Sequence, residues 1–189
     1  EGVLRGGPGN HDPDGVDGLK RTWAGKDSMR GVWLAGGAAL ALLCALGVYL
    51  APLQPNILAL QFAFTPRAFG EVVHQWTGEP LHRFRLHLVA DYALLVSYGL
   101  FGYLLSTRTQ VFQAFEGRRR RWAAWTLPLA AAFDAVENTF HLWLTEVLRF
   151  GIAWPYLAAA LAASAKWVLL FGFGLAVVLA LVRGRASGH

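Results

Sequence analysis

Four long apolar runs divide this 189-residue chain, and short blocks of charge separate them. A hydrocarbon core about 30 Å thick takes roughly 20 helical residues to cross. The runs at 31–50, 86–106, 122–148 and 155–182 all reach that length. The first holds no charged residue. The third carries Pro128 near its start, where a kink is expected, and the fourth opens on Pro155, which suits a first helical turn. The pattern predicts an all-α fold, a polytopic membrane four-helix bundle over residues 31–185. The run at 31–50 is too long for a signal peptide, follows about 30 residues of chain and precedes three more spans.

The segment between the first two runs has a pattern of its own. Residues 57–64 are apolar, Thr65-Pro66 reads as an N-cap with proline at the first helical position, and 67–76 continues as a short helix. Phe69, Val72, Val73 and Trp76 fall on one side of it, with Arg67, Glu71 and His74 mostly on another. This predicts a short interfacial helix in the first outer loop. Residues 1–30 are rich in Gly and Asp, show no periodicity and are expected to form a disordered cytoplasmic segment, while 186–189 make a tail. Met29 stands immediately before the first span, which leaves open whether 1–28 belong to the native protein.

Charge sets the direction of the spans. Twelve Lys and Arg lie in the N-terminal flank, the loop between spans two and three (Arg108 and Arg118 to Arg121) and the C-terminus. Only four, Arg67, Arg83, Arg85 and Arg149, lie in the other two loops. Basic residues stay on the cytoplasmic side, so both termini are expected there. The arginine run therefore reads as a topology anchor. No nucleic-acid partner is expected despite a pI near 9.8, because the basic residues track the span ends and form no face interleaved with aromatics. A composition 55% hydrophobic and 15% charged, with Trp33, Trp76, Trp122, Trp125 and Trp154 near run ends, agrees with a membrane setting. Cys44, the single cysteine, excludes an internal disulfide and reads as a packing residue.

The candidate chemistry lies inside the spans. Asp134, Glu137, Asn138 and His141 share one face of span three, at about 0°, −60°, +40° and −20° for a 100° helical step, whereas Val136 and Trp143 point away. His87, Asp91, Tyr98 and Gly102 share a face of span two. Span four has one charge, Lys166, beside Ala159, Ala162 and Ala163, small residues that allow close helix approach. At 1.5 Å per residue Lys166 and Glu137 both lie roughly 16 Å deep, with Asp91 and His141 at roughly 8 and 10 Å. The expected partners are thus Glu137 with Lys166 and Asp91 with His141. A bare charge near the bilayer centre costs at least about 2.5–3.5 kcal/mol. Three carboxyls against one ammonium are therefore not all expected to be ionised, and Asp134, the deepest, is expected to carry a proton.

Three readings of this network stay open. It glues the helices together; it binds a small apolar ligand, an ion or a proton; or it is the centre of a membrane-embedded enzyme acting on a lipid-like substrate. The candidate catalytic residues are Asp91, Asp134, Glu137, His141 and Lys166, with Tyr98 and Asn138 as ligand-binding groups. His87 with Asp91 and Glu137 with His141 form two i, i+4 pairs, a candidate set for a divalent metal in a hydrolase. A neutral and an ionised acid near Lys166 would instead suit an isomerase. His74, Glu79 and His82 could extend a metal site but read more simply as solvated loop residues, and His11 with Asp12 and Asp14, a faint metal-tail pattern, reads as part of the terminal segment. Gly99, Gly102, Gly172 and Gly174 are expected at close helix contacts. Membrane lipids are expected partners, and the chain is small enough to work as a homo-oligomer or as a subunit of a larger membrane complex.

Leu60-Gln61-Phe62-Ala63-Phe64-Thr65-Pro66, the Asp91 to Tyr98 spacing, and Asp134-Ala-Val-Glu137-Asn138 followed by Lys166 resemble a family of small bacterial four-span membrane proteins. The resemblance covers about residues 31–182, implies a four-helix membrane fold and assigns no reaction. A more distant comparison is with sterol isomerase-type bundle proteins, whose motifs are not matched here.

Overall fold

The computed structural model describes the backbone of residues 13–186 and the side chains of 29–184. Among these residues there are six helices and no strand: α1 (Pro13–Leu50), α2 (Ile57–Gln61), α3 (Pro66–Gln75), α4 (Glu79–Arg108), α5 (Gly117–Leu144) and α6 (Trp154–Ala186). Three stretches, Met29–Leu50, Glu79–Arg108 and Trp154–Gly184, are long and apolar enough to cross a membrane. Their large side chains face outward along the whole length, with Leu34, Val96, Val168 and Phe171 at least 70% exposed, which suits hydrocarbon and not water. α5 has 28 residues but carries its polar side chains in the middle, so its composition alone does not mark it as a span.

α1 reaches back to Pro13, past the first apolar residue expected to be ordered. No proline interrupts the chain between Pro13 and Leu50, so the helix of the apolar run can propagate backwards once formed. Residues 1–12 and the tail 187–189 lie outside the described residues.

The extensive helix interfaces run in a row: α1 on α4, α4 on α5, and α5 on α6. Small residues set the spacing of α4 on α5. A Cβ on Gly102 would stand 2.5 Å from the Leu127 side chain, and one on Gly99 would stand 3.3 Å from the Ala131 Cβ. Gly172 and Gly174 behave otherwise, since a Cβ on either meets nothing within 4 Å. Both are expected at close helix contacts but fall on the open side of α6. Gly102→Val should therefore force α4 from α5 and cost about 1–3 kcal/mol of stability. Gly172→Val should leave the unfolding midpoint of the purified protein nearly unchanged.

α2 and α3 cap one end of the row. Thr65 accepts from the Ala68 amide and Pro66 follows it, as the N-cap pattern anticipates, and Asn56 caps α2 in the same way by accepting from the Ala59 amide. The apolar stripe of α3 is the one expected, but it covers protein. Phe69, Val72, Val73 and Trp76 are buried against Phe84, Leu88, Leu144 and Tyr156. Trp76 is fully buried and donates its Nε1–H to the Pro55 carbonyl at 2.9 Å. Arg83 ties α4 to the end of α1 by donating to the Tyr49 carbonyl at 3.0 Å. α1 and α4 meet with Gly31 beside Leu104, and Arg183 lies over the Phe115 ring, so the arginine-rich segments share the opposite end of the row.

Candidate functional site

The middle of α5 faces α4 on one side and α6 on the other, and its polar residues follow that geometry. Asp134, Glu137, Asn138 and His141 are all buried, whereas Val136 and Trp143 are exposed on the opposite face. From α6, the Lys166 ammonium enters between the two acids. Nζ donates to Asp134 Oδ1 at 2.8 Å and lies 2.6 Å from Glu137 Oε2. From α4, the Tyr98 hydroxyl donates to Asp134 Oδ2 at 3.2 Å. Ala159 and Ala163 of α6 are buried to 1% or less, which lets the lysine-bearing helix come close.

Glu137 pairs with Lys166, as depth along the spans predicts. Two other expectations are corrected. Asp91 takes Asn138, not His141, as its partner: Asn138 Nδ2 donates to Asp91 Oδ2 at 2.7 Å. His141 instead points up toward the α3 cap, its ring 5.7 Å from Phe69 and 6.0 Å from Phe84. One turn of helix separates Asn138 from His141, and the shorter side chain faces the acid. Asp134, expected to be the neutral member, has a donor on each oxygen, from lysine and from tyrosine. That arrangement suits an ionised carboxylate.

Glu137 and His141 are the poorly satisfied groups. Glu137 is fully buried, and its Oε1 has no hydrogen-bond partner among the described residues; His141 Nδ1 lies 3.7 Å from it. His141 is 1% exposed, and its Nε2 is likewise without a partner among the described residues. Buried polar atoms are nearly always paired, so two adjacent orphans call for an explanation.

The candidate metal set of His87, Asp91, Glu137 and His141 does not assemble as one. His87 Nδ1 faces the Phe84 carbonyl, Asp91 is bound to Asn138, and Glu137 to Lys166. Among the described residues no group of three or more His, Cys, Asp and Glu is placed to hold a metal ion.

Sequence reading alone missed one support of the site. Trp167, next to Lys166, donates its Nε1–H to Gln61 Oε1 at 3.0 Å, and Gln61 is buried at the end of α2, within the cap. A glutamine within an otherwise apolar run was the signal, and its partner lies 106 residues away. No family model, curated protein or solved structure matches the chain.

Proposed function

We propose that this chain is a four-span membrane protein, both termini cytoplasmic, whose α4–α5–α6 interior binds a proton. One observation carries the proposal. Two carboxyls, Asp134 and Glu137, share a single ammonium at 2.8 and 2.6 Å in a sealed interior. Lys166 balances one negative charge, and a second in that setting has no counterion. An uncompensated charge in a low-dielectric interior costs several kcal/mol, which one bound proton removes.

The roles follow from the partners. Asp134 and Lys166 form the fixed ion pair, oriented by Tyr98. Glu137 holds the proton on Oε1, the oxygen that lies 3.7 Å from His141, with the imidazole as the group that can take it. Asp91, held by Asn138 and the least buried of the three acids, is where a proton reaches the interior. α5 is the third of the four spans in chain order, because it lies between α4 and α6 with Trp125, Phe133 and Val136 outward and its polar face inward. α3 then lies at the outer membrane interface. Membership of the small four-span bacterial family belongs to the same proposal: Gln61, Thr65, Asp134, Glu137, Asn138 and Lys166, which carry that resemblance, all have defined partners.

Infrared spectroscopy of the protein in lipid nanodiscs tests the reading. At neutral pH the wild type should show the C=O stretch of a carboxylic acid shielded from solvent. Glu137→Gln should abolish it by removing the acid. Asp134→Asn should abolish it too, because Glu137 alone then balances Lys166 and needs no proton. A glutamate acid band that survives in Asp134→Asn, told apart from Asp91 by carboxyl-13C labelling, would break the charge-counting argument.

A further inference from the structure

A second feature lies at the arginine-rich end, apart from the ion network. Between the end of α4 and the start of α5 is an open cavity of about 350 Å³, whose lining includes Tyr103, Ser106, Gly117, Arg120, Arg121 and Trp125. That volume sits at the lower end of small-molecule sites, roughly 300–1,000 Å³. We propose that this cavity binds a phosphate group, supplied by the headgroup of an anionic phospholipid in the leaflet that α4 and α5 leave at this end.

Three independent features converge on an anion. Arg120 and Arg121 line the cavity and are exposed, so two cationic side chains border the space. The first turn of α5 opens on it through Gly117, and its cap residue Glu116 makes no side-chain cap, so the positive end of a 28-residue helix faces the space. Glu116 itself is not among the lining residues. The third feature is Ser106, a buried residue of the cavity lining whose Oγ has no hydrogen-bond partner among the described residues. Helical hydroxyls elsewhere in this chain fold back on the carbonyl four residues earlier: Ser97 on Ala93, Thr107 on Tyr103 and Thr126 on Trp122, at 2.7 Å each. Ser106 does not. A buried hydroxyl left without a partner costs free energy that a bound acceptor would recover.

The side of the cavity argues for a lipid source. Tyr103 and Trp125 pack edge to face, 5.8 Å apart, and both rings are more than a third exposed on the outward surface of α4 and α5. Tyr and Trp occupy the headgroup level of a bilayer, so a phosphate held by Arg120 and Arg121 sits where lipid phosphates lie. The arginine run thus has a division of labour. All four residues set topology, and two of them bind.

Native mass spectrometry of the full chain in detergent, with phosphatidylglycerol and phosphatidylcholine in equal amounts, tests this directly. The wild type should retain phosphatidylglycerol in preference. Arg120→Gln/Arg121→Gln should lose about tenfold more of that retention than Arg118→Gln/Arg119→Gln, which removes equal charge beside the cavity. Ser106→Ala should weaken retention without altering net charge. Inorganic phosphate added at millimolar concentration separates the sources: binding that depends on Arg120 and Arg121, with no lipid preference, would assign the site to soluble phosphate. Equal loss from the two arginine pairs, or binding of neither probe, overturns the proposal.

Discussion

Lys166→Met should be among the most damaging single substitutions in the chain, lowering stability by about 3–5 kcal/mol. It leaves Asp134 and Glu137 facing each other in the interior with the counterion gone. The protein can limit the damage only by taking up a second proton. The infrared signal of shielded carboxylic acid should therefore grow in this variant, to roughly two groups per chain, even as the unfolding midpoint falls. The triple change Lys166→Met, Asp134→Asn and Glu137→Gln removes every charge of the triad and should recover most of the loss. Neutral replacement of a whole buried ion cluster is often tolerated where removal of one member is not. A triple variant as unstable as the single one would mean that the shape of the lysine stem, and not its charge, holds α6 to α5.

Phe69→Ala should follow closely in effect, at about 3–5 kcal/mol. Phe69 is 1% exposed on α3 and packs edge-on to Tyr156 of α6 at 5.1 Å and against His141 at 5.7 Å. It is therefore both a joint between cap and helices and the seal over the imidazole. With the ring gone, water reaches His141. Modification of His141 by diethyl pyrocarbonate, read by peptide mass spectrometry, should rise from near background to that of an exposed histidine such as His74. Unchanged protection in a variant that remains folded would show that the cap does not seal the site.

Much of this arrangement is legible in the linear sequence, and what is not has definite causes. The apolar runs and the N-cap at Thr65-Pro66 mark the helices because their signals are local. The inward face of α5 follows from helical spacing alone, since Asp134, Glu137, Asn138 and His141 lie within one arc whatever α5 packs against. Depth counting pairs Glu137 with Lys166 because both are long side chains at one level. It fails for Asp91, where an asparagine one turn from His141 has the shorter reach to the acid. It also fails for Asp134, because Tyr98 adds a second donor that depth alone does not reveal. The apolar face of α3 is visible in its pattern, but periodicity does not say whether lipid or protein covers it. Gln61 to Trp167 and the cavity at Ser106 depend on contacts between distant segments, which no window of sequence contains.

The most direct measurement is the infrared spectrum of protein in nanodiscs at neutral pH, prepared once with carboxyl-13C glutamate and once with carboxyl-13C aspartate. An un-ionised acid band that moves with the glutamate label alone, and is missing from Glu137→Gln, is the predicted result. A spectrum with no such band, every carboxyl ionised beside one lysine, would contradict the idea that this interior is built around a proton.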